Sequence, residues 1–413
     1  MARVLMTLYS LLMSVIIWPA GLLLSRHPHF NGTILQRLGL SLPDRTGTGP
    51  AVWVHAASVG EVKAVSGLIR AMKDAYPGVS ICLSAMTATG REVARKMPEL
   101  DLVFPLPFDA PWVMRRFLRR LRPKALLIVE TELWPGMIIE ADKLGVPVVT
   151  VNGRMTGRSA GRYALMPGLS RAILSGVHVL AMAGQDAERF SRLGARRVTT
   201  FGNLKLDSIS EVDLSRRGGL RESLGVQDRP VFIAGSIREG EETHVFEALD
   251  RAAGRVPGLF TILAPRHPGQ VGTCAELARQ RGFQWCLRSR MEQGVDLVIV
   301  DTMGELFSLY GASDAAFVGG SLVDTGGQNI LEPIAWGVPT IHGPHMDNFT
   351  WALEVVDGFT IRVNSPAELG DAVVGILTRG GEYRDLARKA RCMLEEHRGV
   401  TLRYLEALSP YLM

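Results

Sequence analysis

Two series of short apolar runs, each run followed by a helix-length amphipathic stretch, divide this 413-residue chain and restrict it to very few folds. In the first series AVWVHAAS (51–58), VSICLSAM (79–86), ALLIVETE (125–132), VPVVTVNG (146–153) and HVLAMAG (178–184) read as buried strands, with helices over 60–75 and from about Gln185. The second series supplies VFIAGS (231–236), TILAPRHP (261–268), DLVIVDT (296–302) and AAFVGGS (315–321). Strands that are apolar on both faces and alternate with helices build parallel sheets covered on both sides. The expectation is therefore an α/β protein with two doubly wound, Rossmann-like domains facing a cleft, over residues 26–207 and 230–382. Between them, in SISEVDLSRRGGLRESLGVQDR, charge and glycine replace apolar periodicity, so 208–229 reads as the linker. The helical segment 383–413 is expected to pack back across the domains.

Ligands of doubly wound sheets sit outside the carboxyl ends of the strands, so the chemistry is sought where these runs end. The richest such end is Phe317–Phe349. There an apolar strand enters two glycine pairs, then a helix opening with Asn329 and carrying Glu332, then another strand and a Gly-Pro-His loop. Glycines admit close backbone approach, and unpaired N–H groups at a helix start receive an anion, which is the make-up of a nucleotide-sugar pocket. APRHP places Arg266 and His267 directly after a strand, where a guanidinium can grip phosphate in two-point fashion or pair with a neighbouring acid. DTMGEL opens a helix at Gly304, Glu305 and Leu306. In the first series HAASVGE puts Glu61 at a helix start, either complementing the helix dipole or acting as a base on an acceptor held above small residues. ETELWPG ends the most apolar strand with Glu130 and Glu132, which strand alternation would point to one side. Two close carboxylates disfavour joint ionisation, so a cation is expected nearby, either Lys205 or the pair Arg154 and Arg158.

Charge is unevenly spread. Residues 1–206 hold 26 Lys/Arg against 13 Asp/Glu, whereas the remainder holds 20 against 28. The basic half should meet an anionic partner; no recognition module or basic-aromatic interleaving points to nucleic acid, which leaves anionic lipid. The 21 uncharged residues Val4–Leu24, followed by Arg26 and His27, read as a retained membrane anchor over residues 1–25. The helix WVMRRFLRRLRPK offers Arg115, Arg116, Arg119, Arg120, Arg122 and Lys124 either to headgroups or to water. The four cysteines lack metal-ligand spacing and suit a reducing compartment.

Taken in order, HAASVGE, TATGRE, ETELWPG, NGRMTGRS, GNLKLD, APRHP, GELFSLYGASD, GGSLVDTGGQNILEP and GPHMDNF, behind an N-terminal apolar segment, closely resemble the Kdo (3-deoxy-D-manno-octulosonic acid) transferases of lipid A assembly. The likeness spans nearly the whole chain. It implies a GT-B glycosyltransferase that moves Kdo from CMP-Kdo to the distal glucosamine 6-hydroxyl of a lipid A precursor, without cofactor or catalytic metal, at the cytoplasmic face of the inner membrane. Matched motif by motif, it implies Glu61 as general base, and Glu130 and Lys205 as groups stabilising the transition state. It further implies CMP binding by Pro265, Arg266, Gly304, Glu305, Leu306, Asn329, Ile330, Leu331 and Glu332. One departure stands out: Gln328 occupies the place of the family's usual histidine before Asn329. A UDP-sugar-dependent GT-B enzyme and a non-catalytic membrane scaffold are the rival classes.

Overall fold

The computed structural model describes residues 2–24, 30, 32–44, 49–208, 212–356 and 358–413. They form two compact units, Met1–Ser208 with Gly399–Met413, and Ile209–Arg398.

The first unit is built on seven parallel strands, β1 (Ala51–His55), β2 (Ser80–Ala85), β3 (Leu102–Pro105), β4 (Pro123–Val129), β5 (Val148–Gly153), β6 (Val177–Ala181) and β7 (Arg197–Thr200), in the order β3-β2-β1-β4-β5-β6-β7. β1 is central and buried at every residue, with Val54 opposite Leu83 on one side and Leu127 on the other. Burial on both faces is why its sequence shows no polar alternation. The following helix, Val59–Ala75, starts because the Ser58 hydroxyl accepts the Glu61 N–H, and it buries Val62, Val65, Leu68, Ile69 and Met72 at helical spacing. Trp53 on β1 packs with Phe104 and Phe117 to fill one layer.

The second unit repeats the plan with β8 (Val231–Ile237), β9 (Phe260–Pro265), β10 (Trp285–Leu287), β11 (Leu297–Ile299), β12 (Ala315–Val318), β13 (Thr340–His342) and β14 (Ile361–Arg362), ordered β10-β11-β9-β8-β12-β13-β14 and parallel throughout. Helices Glu242–Ala253 and Pro366–Thr378 pack closely against each other because Gly370 carries no Cβ; one would sit 2.9 Å from the Ala248 carbonyl oxygen.

Within the expected linker, Leu214–Arg216 is a 3-10 turn and Arg217–Ser223 a helix that belongs to the second unit. Arg217 and Arg221 hold it there through Asp314, at 3.2 and 3.1 Å. The C-terminal segment divides. Helix Gly381–Glu396 lies in the second unit, whereas Val400–Leu412 belongs to the first and packs on Val59–Ala75. Asp207 accepts the N–H groups of Gly399 and Thr401, and the Tyr404 hydroxyl donates to the Leu180 and Gly202 carbonyls.

Residues Ala2–Leu24 form one helix, but among the described residues no helix is long and apolar enough to cross a membrane. The anchor expected over residues 1–25 is therefore not shown as a membrane-spanning helix. One side of the helix is committed to the protein: Ile17 is buried in the first core, Trp18 stacks on Trp112, and the Tyr9 hydroxyl donates to buried Asp109 at 2.5 Å. Leu11, Leu12, Val15 and Ile16 stay exposed on it. Arg26 and His27 lie outside the described residues. The basic helix, Pro111–Leu121, buries Val113, Met114, Phe117 and Leu118, and two of its arginines are tied to acids, Arg115 to Glu140 at 2.7 Å and Arg120 to Asp44 at 2.5 Å.

Candidate functional site

In each sheet the strand order reverses once, and the carboxyl ends of the two strands flanking the reversal open a crevice. In the first unit those strands are β1 and β4. The chain leaving β1 runs through Ala56 and Ala57 into the helix that carries Glu61 in its first turn. One carboxylate oxygen of Glu61 accepts the Ala57 N–H at 2.7 Å, and the other accepts the Ser58 hydroxyl at 3.2 Å. Glu61 thus caps its helix, as the simpler of the two sequence readings requires. Its acidity is nevertheless far from that of a cap in water. Burial pushes its pKa up to about 7, the N–H of Ala57 opposes this, and the charges of Glu130 and Glu132 add to the rise.

β4 stops at Val129, earlier than its apolar run implies. Glu130 adopts the left-handed conformation, φ 57°, while its N–H still bonds the Val151 carbonyl. A non-glycine residue held there is strained, and such strain gathers at functional sites. The two glutamates therefore do not alternate along a strand; they stand in a turn, and both act on Glu61. Lys205, at the start of the short helix Lys205–Ser208, brings Nζ to 3.7 Å from Glu130. The sequence-assigned trio Glu61, Glu130 and Lys205 is assembled in one place. Arg154 meets this turn through its carbonyl, which accepts the Thr131 hydroxyl. Glu132, read from the sequence as Glu130's partner, joins the group, as does His55 at the end of β1, which no sequence reading singled out; the two are 3.9 Å apart. Beside Glu132 opens a cavity of about 510 Å³, lined by Tyr9, Leu133, Trp134, Tyr163, Met166 and Ile173.

In the second unit the reversal lies between β8 and β12. Beyond β12, Gly319 and Gly320 are close-packed: a Cβ on Gly319 would lie 2.5 Å from the Ser236 carbonyl, and one on Gly320 would meet Arg238, Thr325 and Gln328. This loop is held by a residue that sequence reasoning misses. Glu241, fully buried, accepts the N–H groups of Gly320, Ser321 and Leu322 at 2.6, 3.0 and 2.9 Å, and that of Arg238 at 3.2 Å. Its signal is the acidic run after SIR, whose meaning depends on a loop some 80 residues away.

Helix Leu331–Ala335 begins two residues later than expected, with Ile330 as its first flanking residue. Asn329 serves it from outside: its side-chain oxygen accepts the Leu331 N–H, and its amide donates to Glu332 at 3.0 Å. Burial raises the Glu332 pKa, while Asn329 and the Arg266 charge draw it back. Arg266, directly after Pro265, is fixed by its N–H on the Ile237 carbonyl. Gly304, φ 87°, precedes helix Leu306–Ala312, and Glu305 accepts from Thr302 and from Arg288, contacts that hold its pKa below the usual range. That helix packs against Leu331–Ala335, and Tyr310 on it feels the Glu332 charge. The expected CMP-binding residues therefore fall into one region of this unit. Among the described residues no cluster of three or more His, Cys, Asp or Glu is placed to hold a metal ion.

One sheet with carboxylates at its switch point and a second with a glycine loop, an arginine and a helix start there make up a GT-B-like glycosyltransferase. The fold is shared with a solved glycosyltransferase from Rickettsia africae, at a TM-score of 0.61 and 14% identity over 88% of this chain and 98% of that one. Residues 33–208 match the family model described as 3-deoxy-D-manno-octulosonic-acid transferase (kdotransferase). The chain is 34% identical over 407 residues to the 3-deoxy-D-manno-octulosonic acid transferase of Haemophilus influenzae, covering 95% of this chain and 94% of that one. It is 34% identical over 381 residues to that of Bordetella pertussis, covering 87% of each. The chain belongs to the Kdo transferase family and is a glycosyltransferase.

Proposed function

We propose that this chain transfers Kdo from CMP-Kdo to the distal glucosamine 6-hydroxyl of a lipid A precursor, by a single displacement that inverts the anomeric centre. The observation that carries the proposal is Glu61: a half-buried carboxylate at the β1–β4 switch point, with a pKa of about 7 and Lys205 close by on Glu130. In the reaction the acceptor oxygen bonds to the anomeric carbon as the bond to the CMP phosphate breaks, and the hydroxyl proton passes to Glu61. The electron pair leaves on the phosphate, whose growing charge Arg266 and the N–H groups at the starts of the two helices are suited to receive. In the first unit Lys205, paired with Glu130, supplies positive charge.

A lipid acceptor accords with the apolar cavity beside Glu132, which is large enough to take an acyl chain and opens next to the exposed Leu165 and Met166. We further propose association with the cytoplasmic face of the inner membrane. The exposed Leu11, Leu12, Val15 and Ile16 would lie in the interface, and the first-unit arginines would meet anionic headgroups.

Incubation of the purified full chain with CMP-Kdo and an acylated diglucosamine acceptor, followed by mass spectrometry, is expected to show addition of Kdo and release of CMP. Absence of any Kdo-bearing product, or equal transfer from a UDP-sugar, would reject the assignment.

A further inference from the structure

His55 has no part in the chemistry above, yet it sits at the end of the central strand, beside the site. It is fully buried. Its Nδ1 lies 3.0 Å from the Ser84 hydroxyl and 3.1 Å from the Ser84 carbonyl on β2. The Ser84 hydroxyl already accepts Trp53 Nε1–H at 2.8 Å, and the Ser84 carbonyl already accepts the Ala56 N–H. On the other side of the ring, Nε2 is sealed from solvent without a hydrogen-bond partner, and it faces the Glu132 carboxylate at 3.9 Å.

The protons can be placed by inventory. Ser84 has one hydroxyl proton to give once it has accepted from Trp53, and Nδ1 is within reach to take it. The proton of the neutral ring then sits on Nε2, aimed at a carboxylate. The other tautomer would set a lone pair against an anionic oxygen in a dry site, an arrangement that low dielectric penalises. At 3.9 Å the contact is not a closed hydrogen bond, but the Glu132 side chain is 28% exposed and has room to turn toward the ring. The Glu132 oxygen that faces His55 also accepts Trp134 Nε1–H at 2.8 Å.

We propose that His55 is a positioning residue: the buried chain Trp53–Ser84–His55 presents an Nε2–H that fixes the Glu132 carboxylate, and Glu132 so fixed is a standing negative charge that tunes Glu61. This rests on the reading of Glu61 as the base. Burial works against an ionised Glu132, but His55 and Trp134 outweigh it and hold the pKa below the ordinary value. Tyr163 on helix Gly157–Ala164 faces Glu132, its phenol pushed up by burial and by the Glu132 charge; Glu130 in the same turn acts on Glu61 and is paired with Lys205 on its short helix. Arg162, on the helix of Tyr163, is a further charge, acting on Tyr163.

The test is the acid limb of the kcat/KM–pH profile, measured with the full chain, CMP-Kdo and an acylated diglucosamine acceptor. His55→Asn keeps an amide at the Nδ1 position and loses the Nε2 donor; His55→Gln places a donor back at the Nε2 position. Loss of that donor leaves the Glu132 carboxylate unfixed and weakens the charge that raises Glu61, so H55N should move the limb roughly 0.5–1 pH unit lower. H55Q should return the limb toward the wild type. Glu132→Gln should shift it as H55N does, and adding H55N to E132Q should shift it no further. An unmoved limb in H55N, or additive shifts in the double variant, overturns the proposal. If H55N does not fold, E132Q and H55Q decide the matter: the proposal requires the first to move the limb and the second to leave it in place, and any other pattern overturns it. Glu61→Gln separates this proposal from the one beneath it: a wild-type limb surviving in E61Q refutes the base reading itself.

Discussion

Glu61→Gln should make the first unit more stable, and increasingly so as the pH rises. The carboxyl titrates near its ordinary 4.5 when unfolded and at about 7 when folded, because burial and two neighbouring carboxylates disfavour its charge. Below pH 4.5 both states hold the proton and the group contributes nothing to pH dependence. Between 4.5 and 7 the unfolded chain releases the proton and the folded one keeps it, so stability falls with pH; above 7 the loss is complete. A displacement of about 2.5 units corresponds to about 3 kcal/mol. Glutamine keeps an oxygen for the Ala57 N–H and has no charge to desolvate, so E61Q escapes this loss. Urea unfolding at pH 4.5 and pH 8.5, followed by amide exchange of β1 and β4 so that the first unit is read alone, should show the stability of E61Q relative to wild type rising by about 3 kcal/mol between the two pH values. A constant difference would refute the claim that Glu61 is desolvated and charge-crowded, and with it the physical basis for its use as a base.

Three further outcomes are expected. Glu241→Ala strands the N–H groups of Gly320, Ser321 and Leu322 in a buried place, which should cost roughly 3–5 kcal/mol and weaken CMP binding measured by calorimetry. Lys205→Met removes the cation beside Glu130 and should lower kcat by about 100-fold with a smaller change in KM, as steady-state kinetics with CMP-Kdo would show. Met166→Asp places a charge at the mouth of the apolar cavity, and KM should rise about 10-fold or more for an acylated acceptor but little for a deacylated one; equal effects on both would argue against an acyl-chain site there.

The sheets were legible where both faces are buried, since β1, β2, β4, β8, β9 and β12 are continuous apolar runs ended by small or polar residues. The edges were not. β7 is RVTT with mostly exposed side chains, and β10 and β14 have three and two residues, so none of them has room for a period. The site was legible to the extent that it is local: HAASVGE and ETELWPG announce Glu61 and Glu130. What the sequence hides is dihedral and non-local. LIVETE reads as a strand through Glu132, and only the backbone shows Glu130 turning left-handed after Val129. His55 gains meaning from Ser84 on the next strand, and Arg115 from Glu140, 25 residues on; the bare basic face shows neither. The N-terminal apolar run has the length of a membrane span, but length cannot reveal that Ile17, Trp18 and Tyr9 are already engaged by the protein.

Glu61 and Glu241 show why burial alone does not make a base. Both are carboxylates placed early in the chain after the first strand of their sheets, at equivalent switch points, and burial raises the pKa of both. Glu241 accepts four backbone N–H groups and is fully enclosed, so its lone pairs are engaged and its work is to hold the glycine loop. Glu61 accepts one backbone N–H and one hydroxyl, and it is faced by two other carboxylates. It keeps lone pairs for an incoming proton, and the crowding of negative charge makes taking one favourable near neutral pH. The same side chain at the same topological position is a structural clamp in one unit and, in the proposed reaction, the proton acceptor in the other, and the difference lies in how many backbone N–H donors are turned toward it: four on Glu241 and one on Glu61.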